Sequence, residues 1–282
     1  MKNPKIALRH LNFSASKSLK FLLFSDLHFS SSLKDAFLDD ILKVAKKAKP
    51  SYILFGGDLV DTLDDIAEEP DESRLVSFLV RLSLVAPVFL CLGNHDYYRT
   101  AKKEITFKKN RLKNVLKGHE NIHLLVNEAF EDENVYIFGC ALPPEYYHPG
   151  NPPYRHFAKE DKAALVSLLD SYKNLTPPED KISFFLIHSP VFLKDADVKE
   201  KLKDFNFTVS GHMHTGCVPP FLEKIWPSDR GFISPEKRLF PHQARSLKSD
   251  HNIILPAVRT VARSRLLNLP FPPALTILNT KK

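Results

Sequence analysis

Long apolar runs are missing from this sequence: no stretch approaches the roughly 18 residues that a membrane-spanning helix requires. Met1 to Lys20 is polar and mixed, without the apolar core or the small-residue cleavage site of an export signal. Cysteine is scarce. Of the three, Cys91 and Cys140 sit in apolar, strand-like runs and Cys217 stands far from both, an odd number with no metal-type pairing. That argues against a disulfide framework, and a reducing cytoplasm is the expected setting. Familiar catalytic plans are absent too: there is no Gly-x-x-x-x-Gly-Lys-Ser/Thr phosphate loop, no His-Glu-x-x-His helix and no Gly-x-Ser-x-Gly elbow. Internal repeats, low-complexity tracts and clear linkers are also lacking, so residues 1–282 are read as one domain with an irregular basic C-terminal segment, 217–282.

What the chain does contain is a series of short apolar runs suited to buried strands: 21–24, 52–55, 88–92, 135–138, 183–187, 205–209, 253–255 and 275–278. Helical spacing lies between several of them. Phe37, Ile41, Val44 and Ala48 recur at one face of a stretch that stops at Pro50, with Ser32-x-x-Asp35 as a capping box before it. Leu75, Leu79 and Leu82 mark a second helix, and Leu165, Leu168, Leu169 and Tyr172 a third. Strands and helices in this alternation predict an α/β domain with its strands covered on both sides.

The unusual polar residues follow those strands. Ser25-Asp26-Leu27-His28 comes after the first, Gly56-Gly57-Asp58-Leu59-Val60-Asp61 after the second and Gly93-Asn94-His95-Asp96 after the third. His188-Ser189-Pro190 follows the fifth and Gly211-His212-Met213-His214 the sixth. In open α/β sheets ligands bind outside the carboxyl ends of the strands, so five loops would bring their side chains to one edge. Two Asp, one Asn and four His offer mixed oxygen and nitrogen donors without thiolate, which suits Mn, Fe or Zn better than Ca. Seven ligands are too many for one open catalytic ion. They fit two divalent transition-metal ions sharing a carboxylate, the arrangement that clamps a phosphoryl group.

In this order and over residues 25 to 216, the motifs resemble those of the calcineurin-like metallophosphoesterase family. The resemblance implies a two-sheet β-sandwich flanked by helices, a four-layer α/β/β/α fold with the metals at the strand ends. It implies Asp26, His28 and His214 on one ion, Asn94, His188 and His212 on the other, and Asp58 bridging both, with manganese the foremost candidate. His95 would contact the substrate and protonate the leaving oxygen, and Asp96 would orient an imidazole. The implied reaction is hydrolysis of a phosphodiester, pyrophosphate or phosphomonoester by hydroxide generated at the metals. Within the family, Thr62 and Asp96 stand where protein phosphatases carry Arg and Glu. His95 stands where lipid A pathway pyrophosphohydrolases carry Arg, which sets both branches aside in favour of bacterial phosphodiesterase-like proteins. Two other readings stand beside it: a nuclease of the same superfamily, and a non-catalytic metal-binding scaffold.

The net charge of +7 is concentrated at one end. Residues 1–234 hold 31 basic and 31 acidic side chains, whereas 235–282 hold nine basic and two acidic. With the greater part neutral and no DNA-binding module visible, the expected partner is a phosphorylated small molecule, not nucleic acid. Peripheral contact with a membrane surface stays open, and oligomeric state is unread. Phe221, Trp226, Phe232 and Phe240 interleave with Lys224, Arg230, Lys237 and Arg238 just beyond the last motif. They suggest a wall for the apolar or base-like part of a substrate, with Arg230 or Arg238 selecting it.

Overall fold

Phe21, Leu22, Leu23 and Phe24 are all buried, yet they serve two different cores: Leu22 and Phe24 pack against helices, Phe21 and Leu23 against a second sheet. Side chains alternate across a strand, so a continuous apolar run marks a strand covered on both faces. The same split recurs at Ile53 and Phe55 against Tyr52 and Leu54, and at Val88 and Leu90 against Phe89 and Cys91. The structure is a computed structural model that describes residues 5–61, 71–96, 98–99, 105–106, 109–143, 146, 161–172, 175–218, 222, 225–227, 229–234, 239–245, 251–259 and 273–282.

The strands in chain order are β1 (Ala7–Ser14), β2 (Lys20–Phe24), β3 (Tyr52–Phe55), β4 (Val88–Leu90), β5 (Tyr98–Arg99), β6 (Ile105–Thr106) and β7 (Ile122–Leu124). They continue with β8 (Glu128–Glu131), β9 (Val135–Cys140), β10 (Ile182–Ile187), β11 (Phe207–Ser210), β12 (Asn252–Ile254) and β13 (Ala274–Lys281). Among the described residues, six form one sheet in the order β1-β13-β2-β3-β4-β7, five form a second in the order β12-β11-β10-β9-β8, and β5 pairs with β6. Strands β2, β3, β4 and β7 run parallel, as do β9 to β12, while β13 opposes β2 and β8 opposes β9. Both sheets are therefore mixed. Their inner faces meet through Phe21, Leu54 and Phe89 on one side and Ile137, Phe184, Phe207 and Val209 on the other.

Helices α1 (Asp35–Ala48) and α2 (Asp71–Ser83) cover the outside of the first sheet. Helices α4 (Lys162–Ser171) and α5 (Ala196–Leu202) cover the second, and the short α3 (Lys109–Val115) leads into β7. This is the sandwich of two sheets flanked by helices that the family resemblance implies. Helix α1 buries Phe37, Leu38, Ile41, Leu42, Ala45 and Ala48 and ends at Lys49, whose φ of 49° breaks the helix before Pro50. The expected capping box does not form. The N-cap is Lys34 without a side-chain bond, Asp35 is drawn to Arg74 at 2.8 Å, and Ser32 pairs with Ser30. Strand β1 falls in the stretch read as polar and mixed: it is an edge strand, largely exposed, in full parallel register with β13. Cys91 and Cys140 are free and buried. No helix among the described residues is long and apolar enough to cross a membrane.

Candidate metal centre

Each loop that follows β2, β3, β4, β10 and β11 delivers polar side chains to the same end of the sandwich. Asp26, Asp58, His28, His188, His212 and His214 are all buried there. The donor atoms fall into three overlapping groups whose members lie within 4.8 Å of one another: Asp26, His28 and His214; His28, Asp58 and His95; Asp26, Asp58 and His188. His214 Nε2 is 3.1 Å from Asp26 Oδ1, and His188 Nε2 is 3.2 Å from Asp58 Oδ2. Asn94 joins through its Oδ1, 3.0 Å from His212 Nδ1. The seven residues selected from the sequence thus lie together.

Burial and charge fix what these groups can do. Burial would raise the Asp26 carboxyl, but His214 and His188 outweigh it and hold it at about 2. Asp58 is likewise held well below the usual carboxylate range by His188, His95 and His28 against its burial. Burial pushes the His28 imidazole down to about 4 despite Asp58, so near neutral pH it offers lone pairs. For His188 burial pulls downward, yet Asp58 and Asp26 leave the net direction upward. His188 Nδ1 lies 2.7 Å from Gly56 O, a pure acceptor, which places the proton on Nδ1 and turns Nε2 toward Asp58.

Two carboxylates buried side by side are costly without cations to balance them. Both ring nitrogens of His28 are buried with no hydrogen-bond partner, although Nε2 lies 3.8 Å from Asp58 Oδ2 and 4.0 Å from Asp26 Oδ1. Donors so arranged, oxygen and nitrogen only, fit divalent transition-metal ions. Gly93 allows the close approach this needs, because a Cβ there would stand 2.2 Å from Asp58 Oδ1. Gly57 turns at φ +91° below His188, where a Cβ would meet Nδ1 at 2.5 Å.

His95 differs from the rest in exposure. Its side chain is 34% accessible, at the mouth of the site, and its ring lies 4.7 Å from that of His28. The orienting contact expected of Asp96 is made instead by Asp61, whose carbonyl lies 2.6 Å from His95 Nδ1 and whose carboxylate lies 3.5 Å away. Asp96 faces inward, and four backbone N–H groups occupy its carboxylate. Leu59 and Val60 donate to Oδ1 at 2.9 and 3.1 Å, Asp58 and Gly93 to Oδ2 at 3.0 and 2.8 Å. Burial and Asp58 push its carboxyl up to about 7. Asp61 could have been found in the sequence as the last residue of the 56–61 motif, three beyond Asp58.

Downstream, Trp226, Phe232 and Phe240 cluster with ring centroids 5.5 to 6.1 Å apart. They are tied to the ligand loop where Phe232 and Ile233 N–H donate to Gly216 O, two residues past His214. Arg230 is exposed; Thr62, Phe221, Lys224, Lys237 and Arg238 lie outside the described residues.

Comparison with known proteins points the same way. An uncharacterised metallophosphoesterase of Campylobacter jejuni is 27% identical over 221 residues, covering 77% of this chain and 49% of that protein. A second, from Helicobacter pylori, is 26% identical over 73% of this chain and 47% of its own length, so the chain spans about half of these relatives. The UDP-2,3-diacylglucosamine pyrophosphatase LpxG of Chlamydia trachomatis is 34% identical, over 83% of this chain and 78% of that one. LpxG carries the name of a pyrophosphatase, the class that the residue at His95 set aside. The profile described as Calcineurin-like phosphoesterase matches residues 19–216, a span that contains every ligand candidate from Asp26 to His214. With most of its length matched and its donor side chains gathered at one sheet edge, the chain belongs to the calcineurin-like phosphoesterase family.

Proposed function

We propose that the chain is a di-metal hydrolase of phosphoric esters or anhydrides, acting on a phosphodiester or pyrophosphate bond. The observation that carries this is the convergence of two buried, strongly acidic carboxylates with Asn94 and four imidazoles at one strand edge. Asp26, His28 and His214 would hold one ion, Asn94, His188 and His212 the other, with Asp58 between them. Divalent cations there, manganese foremost, supply Lewis acidity and make hydroxide available near neutral pH. His95 Nδ1–H faces the Asp61 carbonyl, so the imidazolium form of His95 would give its Nε2 proton to a departing oxygen at the mouth of the site and be left neutral. Asp96 keeps the Asp58 and Gly93 backbones in one geometry, so the Asp58 carboxylate that would lie between the ions is set before substrate arrives.

The likeness to LpxG supports a pyrophosphate-bearing, nucleotide-linked substrate, because it covers more of this chain than the family profile does. Hydrolysis of UDP-2,3-diacylglucosamine at its anhydride would add one water and give two phosphomonoesters. The test is metal content together with hydrolysis of that compound, bis-p-nitrophenyl phosphate and p-nitrophenyl phosphate in Mn²⁺. Two ions per chain with turnover of the anhydride is the expected result. Fewer than two ions under metal-replete conditions, or no turnover of any of the three, would sink the proposal, and turnover of the chromogenic esters alone would sink the anhydride assignment.

A further inference from the structure

Residues 252–259 lie beyond the family match and have no part in the reading above. The segment leaves β12 on the second sheet, where Leu255 N–H donates to Ser210 O at 2.7 Å, next to the Gly211–His214 loop. It then crosses to the first sheet. Ala257 bridges Ser25 in parallel, Val258 N–H donates to Ser25 O at 3.0 Å, and Arg259 N–H donates to Asp26 O at 3.0 Å. The guanidinium carries on along the same loop, with Arg259 Nη1 donating to His28 O at 2.6 Å and to Ser30 Oγ at 3.0 Å. One short strap therefore touches both the loop that bears His212 and His214 and the loop that bears Asp26 and His28.

The physical need for it is in the backbone. Asp26 and His28 sit at φ 56° and 45°, a left-handed conformation that costs L-residues energy and persists only where neighbours over-determine it. On the N–H side both are held by the β3 loop: Asp26 donates to Gly57 O at 2.9 Å and His28 to Asp58 O at 3.1 Å. On the carbonyl side Arg259 holds both, Asp26 through its backbone and His28 through its side chain. No hydrogen bond holds the His28 ring, so the direction of its imidazole depends on that backbone.

We infer that Arg259 is a positioning residue for the ion held by Asp26, His28 and His214, acting by fixing the His28 carbonyl and so the aim of its ring. The inference rests on the di-metal reading above. Its test is an Mn²⁺ titration of the chelator-stripped full chain, followed by calorimetry and by metal analysis after dialysis, for the parent, Arg259→Ala and Arg259→Lys. Outer groups that orient a metal ligand typically contribute 10- to 100-fold in affinity. Arg259→Ala is expected to weaken one of the two binding steps by about that factor and to leave the other unchanged. Arg259→Lys, whose ammonium can donate to His28 O and Ser30 Oγ as Nη1 does but lacks the fixed aim of the planar guanidinium, is expected to recover part of the loss. Both steps unchanged in Arg259→Ala would overturn the inference. So would equal weakening of both in Arg259→Lys, which is read alone if the alanine variant loses its near-ultraviolet circular dichroism. A parent that binds fewer than two ions refutes the di-metal reading itself, before any substitution is made.

Discussion

Replacing Asp96 by Asn changes one oxygen into an amide nitrogen and separates a structural role from a chemical one. Each Asp96 oxygen accepts two backbone N–H groups, so either orientation of the amide leaves two of the four facing another donor. A buried N–H without an acceptor costs about 1–3 kcal/mol, so the variant should lose about 2–6 kcal/mol. Against a typical total of about 5–15 kcal/mol this is a large change. The measurement is a urea midpoint in chelator near pH 8, above the value of about 7 to which burial lifts the Asp96 carboxyl, so that the parent carries the anion. Asn94→Ala serves as the control. The Asn94 side chain meets His212 Nδ1, and its loss should shift the metal-free midpoint by under about 1 kcal/mol while removing a metal donor. If Asp96→Asn unfolds with the parent yet fails in turnover, Asp96 acts in the chemistry and the backbone argument is wrong.

Three further outcomes follow from the same geometry. Gly93→Ala places a Cβ 2.2 Å from Asp58 Oδ1 and 2.4 Å from its backbone N, where ordinary contact begins at 3.4 Å, so the carboxylate and its backbone must both retreat by about 1 Å; kcat/KM should fall about 10²-fold, and an unchanged value would refute the close fit. His95→Ala should keep both metals but lose about 10² to 10⁴ in turnover of a substrate with an alkoxide leaving group, and far less with p-nitrophenolate, which needs no proton. Equal losses on both substrates would remove His95 from proton transfer. Tyr52 donates to Asp132 at 2.7 Å, and burial with that bond pushes its phenol up to about 12. Because the folded value lies above the ordinary 10, its stabilisation is complete below pH 10 and lost as pH rises toward 12. The stability difference between the parent and Tyr52→Phe should therefore be flat below pH 10 and shrink above it, and a flat difference throughout would refute the assignment.

The ligand loops could be read in the sequence because each follows a largely apolar run, uninterrupted at 21–24, 52–55 and 88–92, a sign of a strand covered on both faces. Helices α1, α2 and α4 showed through their spacing for a similar reason: one stripe of each must meet the sheet. Strand β1 could not be read this way. Only Leu11 in it is buried, and its partner β13 lies at the other end of the chain, so neither periodicity nor local pairing marks it. Asp61 and Asp96 look alike on paper, each an aspartate closing a motif that opens on glycine. Their roles are set by direction within tight turns: Asp96 points into a ring of N–H groups while Asp61 turns to His95. Arg259 was one charge among nine in a basic tail. Only the crossing of the 252–259 segment between sheets gives it a specific carbonyl to hold.

Backbone conformation at the ligands shows why the sandwich and the site belong together. Asp26, His28, Asp58, His212 and His214 have φ of 56°, 45°, 56°, 64° and 47°, so five of the seven metal-ligand candidates sit in the left-handed region without being glycine. Asp and His tolerate that region better than most residues, but each instance still costs about 1–3 kcal/mol. Together they store about 5 kcal/mol or more, comparable to the whole margin by which a typical domain stays folded. Loops cannot sustain such strain by themselves. Here each begins at the end of a strand buried on both faces, and hydrogen bonds run between loops: Asp26 to Gly57, His28 to Asp58, and His212 N–H to the Asp26 carboxylate. The strain of one loop is therefore opposed by the fixed position of the next, and all are opposed by the two-sheet core. The result is a set of donors gathered at one end of the sandwich, with the ordering cost met by the hydrophobic burial of Phe21, Leu54, Phe89, Phe184 and Val209 beneath them.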